Sequence, residues 1–225
     1  MRIRLVLLTF LMCACALLAQ SAPASVQAFG TATITVNPPE QAQLTIGVVT
    51  QGITADEASQ QNATVSTAVQ SAIASVLHSN GTVQTVNYSV SPRYSNSPNP
   101  SIIGYTASNT VLVTTYDLSI IGKLIDTATQ AGANNVGGVS FGLRNPDPYV
   151  LQALGQASKQ ALSHAAAIAS GLGAKTGPVL SAQEGASYSP ILTGAPTAGT
   201  ASTPIQTTGV TVTATVTVVV QLVAQ

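Results

Sequence analysis

Charged side chains are scarce in this chain, and cysteine is almost absent. Its 225 residues include 7 lysines and arginines, 7 aspartates and glutamates, and no tryptophan. Nucleic-acid binding requires clustered Lys and Arg that displace counterions, so the composition argues against a nucleic-acid partner. The two cysteines, Cys13 and Cys15, lie near the N-terminus. Without that segment, the chain has no thiol for catalysis, a disulfide or a metal.

The N-terminal segment, residues 1–24, has the pattern of a secretory signal peptide. Arg2 and Arg4 provide the positive start, and the apolar run 5–18 is shorter than the ~20 residues needed to span a bilayer. Two alternatives remain open: an uncleaved anchor, and a lipid attached to Cys15. We predict export to the periplasm or beyond, no transmembrane segment in the mature chain, and a single domain at 25–225. Cleavage is predicted after Ala19, Ala22 or Ala24.

Hydrophobic periodicity predicts the element order ββαββ, then αβα, then ββ. Thr54 and Glu57 form a capping box at the start of the first helix. The predicted strands cover 31–36, 41–50, 83–91, 103–116, 134–143, 178–186 and 210–223. The predicted helices cover 55–77, 117–131 and 145–173.

This order predicts an α+β fold in two layers. The sheet is mixed or mostly antiparallel, with helices packed on one face. Strands 31–36 and 41–50 are predicted to be neighbours, and the Ser/Thr/Pro/Gly-rich stretch 188–209 is predicted to be a mobile loop. Threonine-rich strands are predicted to offer edges that pair between copies.

The longest predicted helix, 145–173, organises the rest of the fold. Asn145 is its predicted N-cap, and Pro146 is its first helical residue. One apolar stripe at helical spacing is predicted to face the sheet. The stripe comprises Leu151, Leu154, Ser158, Ala161, Leu162, Ala165, Ile168 and Leu172.

Residues capable of catalysis are few. His78 falls at a predicted helix end, where a cation suits the helix dipole. His164 lies on the flank of the long helix, too far along it from Asp147 for a Ser–His–Asp relay within that helix. We predict no enzyme activity and no catalytic, cofactor-binding or metal-binding residues. A hydrolase site assembled around His164 from other elements remains an alternative.

Exposed tyrosines beside prolines are reasonable points of protein contact. Tyr94 and Tyr188 fall in predicted loops with prolines, and Arg93 adjoins Tyr94. We predict a contact surface that includes Arg93, Tyr94 and Tyr188.

Several segments, in order, resemble the SIMPL-domain family, formerly domain of unknown function 541. The similarity spans about residues 30–222 and implies no agreed catalytic residues. Bacterial members include periplasmic immunogenic and outer-membrane-associated proteins. The segments are GTATITV from Gly30, AQLTIGVV from Ala42, VQTVNYSVSPRY from Val83, GYTASNTV from Gly104, DL from Asp117, GAN from Gly132, VSFGL from Val139 and the closing strand at 205–222.

The residues and the resemblance together predict a non-enzymatic SIMPL-domain protein of the bacterial cell envelope. It is expected to act through protein–protein contacts, with self-association as one form of contact. The alternative hypothesis is an envelope module that binds a small ligand or a polymer through the loops around Tyr94 and Tyr188.

Overall fold

The computed structural model describes residues 23–189, 191–192 and 209–225, where the predicted α+β class and element order are confirmed. Nearly all of the predicted signal peptide, and 190 and 193–208 of the predicted loop, lie outside these residues. The strands are β1 (Ser25–Val36), β2 (Gln41–Gly52), β3 (Gly81–Tyr94), β4 (Ile102–Thr115), β5 (Asn135–Gly142), β6 (Ala174–Ser189), β7 (Ile191–Leu192) and β8 (Val210–Ala224). The helices are α1 (Ala55–Leu77), α2 (Ile121–Gln130) and α3 (Asp147–Gly171).

The described strands form two antiparallel sheets, where the sequence predicted one. The order is β1-β8-β6 in the three-stranded sheet and β3-β4-β2-β5-β7 in the five-stranded sheet. The predicted pairing of the first two strands is wrong, because β1 pairs with β8 along its whole length while β2 lies between β4 and β5. Pro38 and Pro39 interrupt the chain where it passes from one sheet to the other.

Of the two threonine-rich strands, β8 lies at the centre of the three-stranded sheet and β1 lies at its edge. Thr31 is opposite Thr215, and Thr33 is opposite Thr213 with their hydroxyl oxygens 3.0 Å apart. Since β8 is the central strand, its threonines are not available as an edge for another copy. In the predicted loop at 188–209, β6 continues to Ser189, and β7 pairs with β5.

Helices α1 and α2 pack with the five-stranded sheet around the larger hydrophobic core. The first bond of the predicted capping box is present, since the Thr54 hydroxyl accepts the Glu57 amide at 3.2 Å. The Glu57 carboxylate reaches back one residue beyond the N-cap and accepts the Ile53 amide at 3.0 Å. Asp117 accepts the Ser119 amide ahead of a short 3₁₀ turn and α2. The sequence therefore located the start of α1, whereas Asp117 caps the 3₁₀ turn and α2 itself begins at Ile121.

A buried amide that the apolar pattern did not predict fixes α1 to the sheet. Asn62 is fully buried, and its Nδ2 donates to the carbonyls of Val48, at 2.8 Å, and Ala107, at 3.1 Å. Ser66 donates to Asn62 Oδ1 at 3.2 Å. Because an unpaired buried amide would be costly, these bonds select one position of α1 over β2 and β4.

Helix α3 packs on the three-stranded sheet through alanines. The predicted helix is confirmed, and each of its ends lies two residues inside the predicted range. Asn145 Oδ1 accepts the Asp147 amide. The predicted apolar stripe is right at Ala161 and Ala165, which are buried. It is wrong at Leu151, which is 69 % exposed, and at Leu172, which is 67 % exposed. The buried residues recur at every fourth position, and they are Ala153, Ala157, Ala161, Ala165 and Ala169.

Gly30 in β1 explains why this face consists of alanines. A Cβ at Gly30 would clash with the carbonyl oxygen of Ala157 and lie 2.6 Å from the amide nitrogen of Ala161. The backbones of α3 and β1 are therefore nearly in contact. Leucine does not fit in so narrow a gap: Leu154 packs at the side of this cluster, and Leu151, Leu162 and Leu172 are exposed.

We expect Gly30→Ala to destabilise the protein by about 2 kcal/mol, because α3 must move away from β1. The matched control is Gly155→Ala on α3, where a Cβ meets nothing within 4 Å. Removing a glycine from the helix interior should stabilise by about 0.5–1 kcal/mol. Urea unfolding followed by circular dichroism measures both variants. An equal change in the free energy of unfolding for the two variants would contradict the close packing of α3 on β1.

Candidate interaction surface

The hairpin of β3 and β4 carries a group of exposed apolar side chains. The two strands pair antiparallel from Gly81↔Thr115 to Tyr94↔Ile102, with register shifts after Thr85 and Arg93. We call these side chains the hairpin surface. They are Val86 (54 % exposed), Tyr88 (54 %), Val90 (36 %), Tyr94 (58 %), Ile102 (50 %) and Ile103 (53 %).

β3 is open on three sides over much of its length. Every residue from 84 to 92 is exposed. Since successive side chains of a strand point to opposite faces, both faces of this segment are uncovered. β3 is also the edge strand of its sheet. An open edge with exposed apolar side chains is a typical site for contact with another chain.

Hydrophobic periodicity predicted Val86, Tyr88 and Val90 on one strand face. In the structure, α1 lies over β2 and β4 and meets β3 near its beginning, where Leu77 is close to Gly81. The exposed part of β3 lies beyond this contact. The alternation of residues in β3 is the same for a covered and an open face, so sequence reasoning missed five of the six residues of the hairpin surface.

The structure brings together two of the three predicted contact residues. Arg93 and Tyr94 end β3, and Arg93 Nη1 donates to Gln51 Oε1 at 2.6 Å, which ties the guanidinium to β2. Tyr94 belongs to the hairpin surface. Tyr188 lies in β6 of the other sheet, opposite Val212, and its side chain lies outside the described part of the structure.

A glycine at the start of β4 fixes the base of the hairpin. Gly104 has a φ of +152°, and a Cβ there would lie 2.8 Å from the carbonyl oxygen of Gly52. Only glycine fits this backbone conformation and this close approach without strain. The hairpin is therefore held at the end of β2, and it lies in a fixed direction relative to the sheet.

Both histidines have structural contacts. His78 is the C-cap residue of α1, with its amide donating to the carbonyl of Ala74 at 3.0 Å. His164 Nδ1 donates to the carbonyl oxygen of Phe29 at 2.9 Å, and its ring meets the Phe29 ring edge-on at 6.4 Å. These contacts direct the imidazole of His164 towards β1.

A polar cluster fastens the beginning of α3 to the beginning of β2. Tyr149 Oη donates to Glu40 Oε1 at 2.7 Å, and the Arg144 amide donates to Glu40 Oε2 at 3.0 Å. The Arg144 guanidinium lies 4.1 Å from the centre of the Tyr116 ring. The hydrogen bond to Glu40 raises the pKa of Tyr149, with burial and the charge of Glu40 acting in the same direction.

Across the part of the chain that the structure describes, no group of three or more His, Cys, Asp and Glu side chains is placed to hold a metal ion. No helix within the same residues is both long and apolar enough to cross a membrane.

The SIMPL family model, described as "Protein of unknown function (DUF541)", matches residues 26–220 of the chain. The match includes both sheets, all three helices and the hairpin surface.

Curated relatives extend the comparison. The chain is 27 % identical over 168 residues to the "26 kDa periplasmic immunogenic protein" of Brucella melitensis, covering 72 % of this chain and 67 % of that protein. It is 36 % identical over 100 residues to "Uncharacterized protein YggE" of Escherichia coli (strain K12), covering 44 % of this chain. That alignment spans only 41 % of the Escherichia coli protein.

We expect Tyr149→Phe to lower stability near neutral pH, because the phenol no longer donates to Glu40. The folded pKa of Tyr149 is raised above its usual 10.0. The hydrogen bond therefore contributes fully below that pH, and its contribution is lost as pH rises through the folded pKa. Urea unfolding of both proteins across this range measures the difference. A stability gap that grows with rising alkalinity would contradict this assignment.

Proposed function

Because the chain belongs to the SIMPL family, we propose that it is a non-enzymatic protein of the bacterial cell envelope that acts through protein–protein contacts. We further propose that a second copy of the chain binds the hairpin surface. The observation that carries this proposal is the exposure of apolar side chains on a β3 segment that is open on both faces.

The periplasm is the proposed location. The Brucella melitensis relative is named as a periplasmic protein, and its alignment covers most of this chain. The N-terminal segment has a positive start, an apolar run and small residues, which is the pattern of a cleaved export signal.

Charge distribution favours a second copy as the partner of the hairpin surface. Arg93 is the only charged residue in β3, β4 carries none, and the guanidinium of Arg93 is already hydrogen-bonded to Gln51. Two copies of an uncharged apolar surface can meet without repulsion, as the self-complementary interface of a symmetric dimer requires. A strongly charged partner would find little complementary charge there.

The proposed role of this protein is to bind another protein chain, without a chemical reaction. The two histidines serve as the C-cap of α1 and as a partner of the β1 backbone. The two cysteines lie in the segment that export is expected to remove. These observations support a role in binding.

For location, we expect a C-terminally tagged full chain to appear in the periplasmic fraction after osmotic shock of an expressing bacterium. Intact mass should show a new N-terminus after Ala19, Ala22 or Ala24. A cytoplasmic enzyme and a periplasmic enzyme serve as fraction controls. Recovery in the cytoplasm with an intact Met1 would contradict the proposal.

For self-association, we expect Tyr88→Glu to raise the dissociation constant by about thirtyfold, since a central aromatic residue in an interface commonly contributes about 2 kcal/mol. Size-exclusion chromatography with light scattering at several concentrations measures this change. The matched control is Leu151→Glu, which places the same charge at an apolar position that is 69 % exposed on α3.

The control should associate like the parent, and circular dichroism should show the same fold for all three proteins. A parent that stays monomeric at high concentration would contradict self-association. An unchanged Tyr88→Glu variant would instead remove the hairpin surface as its site.

A further inference from the structure

β1 has none of the usual protections of an edge strand. It is 12 residues long, carries no charged residue and no proline, and pairs with β8 without a register shift. Proteins commonly protect such edges with lysine, proline or a bulge, because an unprotected edge recruits other strands. β6, at the opposite edge of the same sheet, has Lys175, Pro178 and two register shifts.

Two side chains of α3 reach the outer edge of β1. Gln160 Oε1 accepts the Thr31 amide at 2.6 Å, and His164 Nδ1 donates to the Phe29 carbonyl at 2.9 Å. Gln160 and His164 are one helical turn apart, and Gly30 lies between the two backbone groups that they bind. The close approach of α3 at Gly30 allows both side chains to reach the strand.

These contacts divide the free edge into two short parts. In a strand, the amide and carbonyl of one residue point to the same side, and those of the next residue point to the other. The backbone groups of Phe29 and Thr31 point to α3. The carbonyl of Ala24, an even-numbered residue, instead accepts the amide of Leu222 in β8. The odd-numbered residues therefore face outward. The Phe29 carbonyl and the Thr31 amide are hydrogen-bonded to α3. The outward residues beyond these contacts lie in pairs at either end of β1, namely Ser25 with Gln27 and Thr33 with Thr35.

We propose that Gln160 and His164 are an edge guard, which prevents a second copy of this chain from adding a strand to β1. Two side chains of α3 thus protect the edge of β1, which has no lysine, proline or bulge of its own. It directs association to other surfaces, and it is independent of the hairpin surface in the five-stranded sheet. A strand of another copy would have to displace both side chains before it could pair along the middle of β1.

The test compares the full chain with the double variant Gln160→Ala/His164→Ala. A photo-cross-linking amino acid replaces Thr33, whose backbone faces the free edge, in both proteins. Sedimentation velocity measures association, and cross-linked peptides identify the surface. We expect association to increase about tenfold when two backbone groups are freed to pair with another strand. Cross-links from position 33 to another copy should appear only without the guard.

The matched control, Lys159→Gln/Ser163→Ala, changes the residue before each guard residue, and both positions are exposed. It should behave like the parent. His164→Gln retains a donor and should also remain guarded. If the double variant unfolds, His164→Ala alone is measured by the same two methods. Association equal to that of the parent, or increased association without cross-links from position 33, would overturn the proposal.

Discussion

The close contact between α3 and β1 at Gly30 is the constraint on which the three-stranded sheet depends. With no side chain at Gly30, the backbone of α3 approaches the strand around Ala157 and Ala161. This distance requires small residues along the buried helix face, so the alanines face the sheet while Leu151 and Leu172 are largely exposed. It also brings Gln160 and His164 within hydrogen-bonding distance of the strand edge.

Neutral side chains do much of the positioning that ion pairs do in a more highly charged protein. Asn62 fixes α1 to β2 and β4 through two carbonyls. The side-chain amide of Asn134 makes two hydrogen bonds to the backbone of Val49: it accepts from the amide and donates to the carbonyl, both at 2.8 Å. These bonds extend the pairing of β2 just before β5 begins. Gln160 binds an amide of β1 in the same way. Asn62 is the buried one of the three. Because its amide carries no net charge, burying it costs less than burying an ion, provided that its donors and acceptor are paired.

The edge strands β1 and β3 differ in how far other elements cover them. The middle of β1 is occupied by side chains from α3, whereas β3 is uncovered on both faces over residues 84–92. Each arrangement depends on where a helix lies. α3 lies against β1 at Gly30, while Leu77 of α1 is close to Gly81 at the beginning of β3. We propose that the contacts from α3 limit pairing at one sheet, whereas apolar side chains are exposed at the other.

The sequence by itself determined the helices, most strand positions and the α+β class, because caps and hydrophobic periodicity act over a few residues. Thr54 and Asp117 marked helix starts in this way. Of the candidate surface, it predicted Arg93 and Tyr94 but missed the exposure of Val86 and Tyr88. Only the tertiary structure decided that β1 pairs with β8, and which face of α3 is buried. Both depend on contacts between residues more than a hundred positions apart, about which local patterns carry no information.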